Sequence, residues 1–99
     1  MIENLIQRIN KSGNDLAPFL IFYIDGAKTL RSVQGAYDWS HRDMASYQRW
    51  IESPTEYLES FDECHTLPLD FKELERKVKA LKWLRAELRE IIQEMKDAV

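Results

Sequence analysis

Few side chains in this sequence have the types and the spacing that catalysis or metal binding requires. Cys64 and His65 are adjacent, but they carry no local signature of a nucleophile and its base. A zinc site would need these two residues, His41 and a distant carboxylate, without any usual ligand spacing. The three glycines are isolated, so the chain has no glycine-rich phosphate loop. We therefore predict that the protein is not an enzyme and uses no cofactor and no metal.

A second group of side chains is suited to binding another macromolecule. Trp83 lies among cationic side chains, about 180° around its predicted helix from the apolar positions. Tryptophan is enriched at binding hot spots, and nearby cations suit an acidic partner or a stacked base. The alternatives are a plain solvated face and an N-terminal helix that covers Trp83. The predicted partner-binding residues are Trp83, Lys72, Arg76 and Lys79 or, if the acidic face at residues 52–63 is the contact instead, Glu56 and Glu59.

The stretch from Leu30 to Ile51 has the spacing of two helices that meet at a tight turn. The positions that such a pair buries hold Val33, Tyr37, Trp39, Met44 and Tyr47. Ser40 and Asp43 would cap the second helix. In these features the stretch resembles the helix-turn-helix motif of phage and bacterial regulators. The resemblance implies that the second helix contacts the DNA major groove through His41, Arg42, Ser46 and Arg49.

Two positions depart from that motif. Gln34 stands where the helices approach most closely and a small residue is usual, and Asp38 stands where a left-handed glycine is usual. The formal net charge of −3 also lacks the basic excess that is typical of proteins that bind DNA unaided. DNA binding is therefore the alternative function, and two ordinary core helices are the other explanation of the spacing.

The elements that position these residues are predicted to be helices, because three Gly and three Pro leave few points at which a helix would end. The first ten residues form an amphipathic helix, and Asp15 would cap a second one with Pro18 in its first turn. Residues 19–33 fit either a helix with a break near Gly26 or a hairpin that turns there.

Two capping patterns predict further helix starts. Ser53-Pro54-Thr55-Glu56 would begin a short helix, and Asp70 would begin a final helix over about residues 71–97. The expected fold is all-α, a single domain over residues 1–99. It is a small bundle of four or five helices closed by one long C-terminal amphipathic helix.

The final helix also suggests how the protein assembles. Its apolar seam comprises Leu74, Val78, Leu81, Leu88, Ile92, Met95 and Val99, widened by Phe71, Leu84 and Ile91. At roughly 40 Å the helix is as long as the domain, so it is the spine of a monomer or its end is covered by a second chain. The homodimer would use Leu88, Ile91, Ile92 and Met95. Arg85 lies within the seam and needs a partner or a route to solvent.

Composition sets the remaining expectations. Hydrophobic content of 44% and charged content of 31% fit a folded soluble chain, and a single cysteine favours a reducing cytoplasm. The apolar run at residues 16–24 is too short to span a bilayer, and we expect no signal peptide. We predict a cytoplasmic binding or regulatory protein that docks onto a macromolecule, most plausibly a protein. Regulators or inhibitors of phages and mobile elements are of this kind.

Overall fold

The computed structural model describes residues 1–53 and 70–98, and every regular element in these ranges is an α-helix. The helices are α1 (Ile2–Lys11), α2 (Ala17–Ile24), α3 (Leu30–Glu52) and α4 (Phe71–Asp97). The predicted all-α class and the predicted long C-terminal helix are therefore confirmed. The predicted short helix that starts at Ser53-Pro54 lies outside the described residues.

Two glycines with positive φ separate the first three helices. Gly13 follows α1 with φ 68° and Gly26 follows α2 with φ 79°, a left-handed conformation that glycine adopts without a Cβ clash. The break near Gly26 is therefore confirmed. The hairpin alternative for residues 19–33 is wrong, because α2 and the start of α3 occupy them.

The start of α2 differs from the prediction. Leu16, not Asp15, occupies the N-cap position, and Pro18 lies in the first turn as expected. The side chain of Asn14 accepts a hydrogen bond from the backbone N–H of Leu16 at 2.9 Å, which fixes the chain before the helix. The carboxylate of Asp15 is consequently available to pair with Arg76 on α4.

One continuous helix, α3, occupies the stretch that the helix-turn-helix resemblance divides into two. It begins with a capping box, in which Thr29 Oγ1 accepts from the Ser32 N–H at 3.1 Å and Ser32 Oγ accepts from the Thr29 N–H at 2.9 Å. The turn implied at Asp38 is absent. Ser40, predicted as a cap, is fully buried in mid-helix and donates to the carbonyl of Tyr37 at 2.7 Å.

The core lies mainly between α3 and α4, which form the largest helix–helix contact and run antiparallel. Tyr37, early in α3, accepts a hydrogen bond from Arg89, late in α4, whereas Tyr47, late in α3, lies near Lys77 of α4. Helices α1 and α2 complete the core, whose fully buried apolar side chains are Leu5, Ile9, Ile24, Val33, Leu81, Leu84 and Leu88.

Helix α4 begins as the sequence predicts, because Asp70 Oδ1 accepts from the Glu73 N–H at 3.2 Å. The seam is buried at Leu74, Val78, Leu81, Leu84, Leu88 and Ile91. Ile92 and Met95 are half-buried, and Phe71 is 39% exposed at the first helical position. Val99 lies outside the described residues.

Candidate docking surface

Trp83 lies on the outward face of α4 and is 43% exposed, a large fraction for a tryptophan. The other predicted contacts of α4, namely Lys72, Arg76 and Lys79, are exposed on the same face. The structure therefore brings four of the six predicted partner-binding residues together. Glu56 and Glu59 lie outside the described residues.

A groove of about 490 Å³ opens beside Trp83, between α1, the turn after it and α4. Apolar side chains of Ile9, Leu16, Leu20 and Ala80 contribute to its lining. Arg8, Arg76 and Lys79 supply positive charge. The N-terminal helix that would have covered Trp83 thus lies beside it, and the indole remains accessible at the groove.

Ion pairs hold two of these cations in place. Arg8 Nη2 lies 2.7 Å from Glu87 Oε2, which ties α1 to α4, and this hydrogen bond raises the pKa of the Arg8 guanidinium. Arg76 pairs with Asp15 before α2 and with Glu73 one turn earlier on α4, the latter at 3.0 Å. Lys79 makes no ion pair in the part of the chain that the structure describes. Its ammonium group is the cation of the groove with no competing partner.

The predicted DNA-contacting residues lie on α3, on a different face of the molecule. His41, Arg42 and Arg49 are exposed there and Ser46 is half-buried. Trp39, predicted to be buried, is instead 58% exposed, and the Arg42 guanidinium lies 4.8 Å from the centre of its ring. The structure places these four residues on one helix, and DNA binding by them stays a prediction.

The predicted dimer residues divide into two pairs. Leu88 is fully buried and Ile91 is 7% exposed, both within the core of their own chain. Ile92 and Met95 are half-buried and pack against the same core. A dimer contact at these four residues stays a prediction.

Arg85 finds a partner that the sequence did not identify. Its guanidinium lies 4.2 Å from the centre of the Tyr37 ring, an arrangement in which the aromatic face stabilises the cation. Its Nε is buried without a hydrogen-bond partner among the described residues. Arg89 donates to the hydroxyl of the same tyrosine at 3.2 Å, which lowers the pKa of Tyr37.

Sequence reasoning also missed an aromatic cluster between α2, α3 and α4. Tyr23 donates a short hydrogen bond to the carboxylate of Asp43, and the rings of Phe19 and Tyr23 meet edge to face at 5.5 Å. Lys77 Nζ lies 5.3 Å from the centre of the Phe19 ring. Burial and the bond to Asp43 raise the pKa of Tyr23, and burial raises the pKa of Tyr47. No local signal joins these residues, because they come from three helices.

The described residues contain no group of three or more His, Cys, Asp or Glu side chains that is placed to hold a metal ion. Within the same residues, no helix has the length and the apolar character to cross a membrane. Comparison of the chain with protein-family models, with curated proteins and with solved structures finds no match.

Proposed function

We propose that this chain is a non-enzymatic binding protein that docks onto another protein through the Trp83 surface, defined as Lys72, Arg76, Lys79, Trp83 and the groove beside them. The observation that supports the proposal is the half-exposed indole at a 490 Å³ groove. Pockets of this size with apolar walls and a few polar groups are typical of binding sites.

The chemistry of the surface selects the kind of partner. Trp83 offers an exposed apolar contact beside a groove whose wall includes Leu16, Leu20 and Ala80, and Lys79 needs a negative group. The occupant is therefore a segment that carries carboxylates around one large apolar side chain. Tryptophan at a protein interface commonly contributes about 2 kcal/mol or more, which corresponds to roughly a 30-fold change in the dissociation constant.

The test compares two tryptophan variants that make the same chemical change. The probe is a labelled helical peptide with glutamates around one leucine, and the same peptide with lysines in place of glutamates is the control ligand. We expect the acidic peptide to bind in an anisotropy titration and Trp83→Ala to weaken it about 30-fold. Trp39→Ala, which removes an indole that is more exposed than Trp83 and lies on α3, leaves binding unchanged. The proposal would be contradicted if the acidic and the basic peptide bound with equal affinity. It would also be contradicted if Trp83→Ala and Trp39→Ala weakened binding of the acidic peptide to the same extent.

DNA binding through α3 is the second candidate function. The observation that favours it is the exposed face that carries Arg42, Arg49 and His41 beside Trp39. A single helix with cationic side chains on its outward face fits a major groove, although it lacks the first helix of the motif. Retention of particular fragments of sheared genomic DNA at physiological salt, lost in Arg42→Ala/Arg49→Ala, would establish this function. Binding that disappears with salt for all fragments is only counterion release and would reject it.

The biological setting that we propose follows from the same features. A small acidic chain that docks onto a protein suits a regulator or an inhibitor of the kind that phages and mobile elements encode. The single cysteine favours the cytoplasm.

A further inference from the structure

The exposed face of α4 carries charges in an unusual order. Counting from Trp83, basic residues stand 4, 7 and 11 positions earlier and acidic residues stand 4, 7 and 11 positions later. The basic set is Lys79, Arg76 and Lys72, and the acidic set is Glu87, Glu90 and Glu94. Steps of three and four keep all of them on one side of a helix, with Trp83 at the centre. The pattern is antisymmetric, since every base has an acid at the same distance on the other side.

Small side chains stand at equal distances before and after Trp83 on the same face of α4. Ala80 and Ala86 stand three positions before and after it. Ala86 is exposed and Ala80 is half-buried, so neither shields the indole from an approaching helix. The small side chains therefore leave room beside Trp83 for the indole of a second helix.

An antisymmetric face of this kind is complementary to itself. A twofold axis that passes between the Trp83 side chains of two copies places their α4 helices antiparallel. Each residue then lies opposite the residue of the second copy that stands the same number of positions from Trp83 in the other direction along the sequence. The two tryptophans then meet on the axis, and each alanine meets the other alanine. Separations of 4, 7 and 11 residues correspond to about 6, 10 and 16 Å along a helix. The basic and acidic residues lie at the same distances from Trp83, so all three pairs on each side of the axis face each other in one arrangement of the helices.

We infer, on the basis of the docking function proposed above, that the acidic partner of the Trp83 surface is the C-terminal half of α4 in a second copy of the chain. Each copy offers its basic half to the acidic half of the other, with Lys72 opposite Glu94, Arg76 opposite Glu90 and Lys79 opposite Glu87 of the second copy. The dimer is isologous and antiparallel. It uses the face of α4 that is opposite to the buried Leu88.

The free charges on this face support the inference. Lys72, Lys79, Glu90 and Glu94 are exposed, and none makes a hydrogen bond or an ion pair within residues 1–53 and 70–98. Arg76 and Glu87 already pair with Asp15 and Arg8 within the chain, so they add less to the contact. Lys72 and Glu94 therefore form the one proposed pair in which both charges are free, whereas Lys79 and Glu90 meet residues that also have an internal partner.

The expected dimer is weak and sensitive to salt. The face is about 40 Å long and roughly one helix wide, so the contact is smaller than the roughly 1,200 Å² of a stable interface. Most of its attraction comes from exposed charges, which salt screens over about 10 Å at 0.1 M. The specificity of the pairing therefore lies in the charge order and in the central Trp83 pair.

The test uses two complementary variants of the full chain, measured by sedimentation velocity over a range of concentrations at low salt. Lys72→Glu and Glu94→Lys reverse the two members of one predicted pair, so each variant alone sets like charges opposite each other in its dimer, whereas a mixture of the two variants again sets opposite charges there. We expect the wild type to dimerise, either variant alone to lose at least about tenfold in affinity, and an equimolar mixture of the two to recover a one-to-one heterodimer.

Loss of dimerisation in either variant would not result from unfolding. Each variant brings the charges of α4 closer to the order that the helix dipole favours, with acids near the N-terminus and bases near the C-terminus. Melting curves of each variant check this directly. A wild type that stays monomeric at low salt overturns the inference, and so does a mixture that fails to associate while the wild type dimerises. The docking function fails separately, if Trp83→Ala leaves binding of the acidic peptide unchanged.

Discussion

Removal of one hydroxyl, Tyr23→Phe, tests whether α2 is held to α3 by the hydrogen bond to Asp43. Hydrogen bonds to charged groups contribute about 1.5–3 kcal/mol, and the half-buried position of Tyr23 favours the lower part of that range. We expect the free energy of unfolding to fall by about 1–2 kcal/mol, which in a domain of this size lowers Tm by roughly 5–10 °C. Urea denaturation followed by circular dichroism measures the change.

The same variant has a signature in alkaline solution. The pKa of Tyr23 in the folded state lies above its ordinary value of 10.0, so below that pH the tyrosine is neutral in both states and its stabilisation is fully present. As pH rises past 10 the unfolded chain ionises first, and the wild type loses stability that the phenylalanine variant cannot lose. The difference between the two proteins should therefore shrink above about pH 10.

The control for both measurements is Tyr37→Phe. The hydroxyl of Tyr37 accepts from Arg89 at 3.2 Å near the surface, and we expect its removal to change the free energy of unfolding by less than about 0.5 kcal/mol. Equal stability of Tyr23→Phe and wild type, within about 0.3 kcal/mol, would refute a stabilising role for the bond to Asp43.

Three further substitutions test the fold by the same urea assay. Leu81→Ala truncates a fully buried side chain of α4 and should cost about 2–5 kcal/mol, whereas a cost below about 1 kcal/mol would mean that the core is not packed as described. Thr29→Ala removes the N-cap of α3 and should cost about 1 kcal/mol. Gly26→Ala places a Cβ at φ 79° and should cost about 1–2 kcal/mol, although no atom lies within 4 Å of the added group.

Local patterns predicted the ends of the helices better than their continuity. The cap at Asp70 and the break at Gly26 are set by a few neighbouring residues, and the sequence located both. The continuity of α3 was not predicted, because Asp38 and Ser40 favour turns and caps when they are considered alone. Packing against α4 along its whole length overrides that preference, and Ser40 satisfies its hydroxyl within its own helix.

The Trp83 surface was predictable only in part, because local patterns locate a residue on its own helix but do not show how separate helices pack together. The face of Trp83 on α4 follows from helical periodicity, and the structure places it on the exterior as expected. The groove beside it was not predictable, since Ile9, Leu16 and Leu20 line it only because α1 and α2 pack next to α4. The aromatic cluster around Tyr23 depends on the same kind of long-range placement.

The order of charges on α4 opposes the helix dipole, which favours acids in the first turn and bases in the last. The helix meets that preference with residues outside the Trp83 surface, because Asp70 and Glu73 stand at its start and Lys96 at its end. Lys72 and Asp97, with unfavourable signs in the same turns, lie on the outward face. The ends of α4 are thus stabilised by one set of charges, whereas the outward stripe keeps an order in which Arg76 and Glu87 pair within the chain and Lys72 and Glu94 would be stabilised by an oppositely ordered partner.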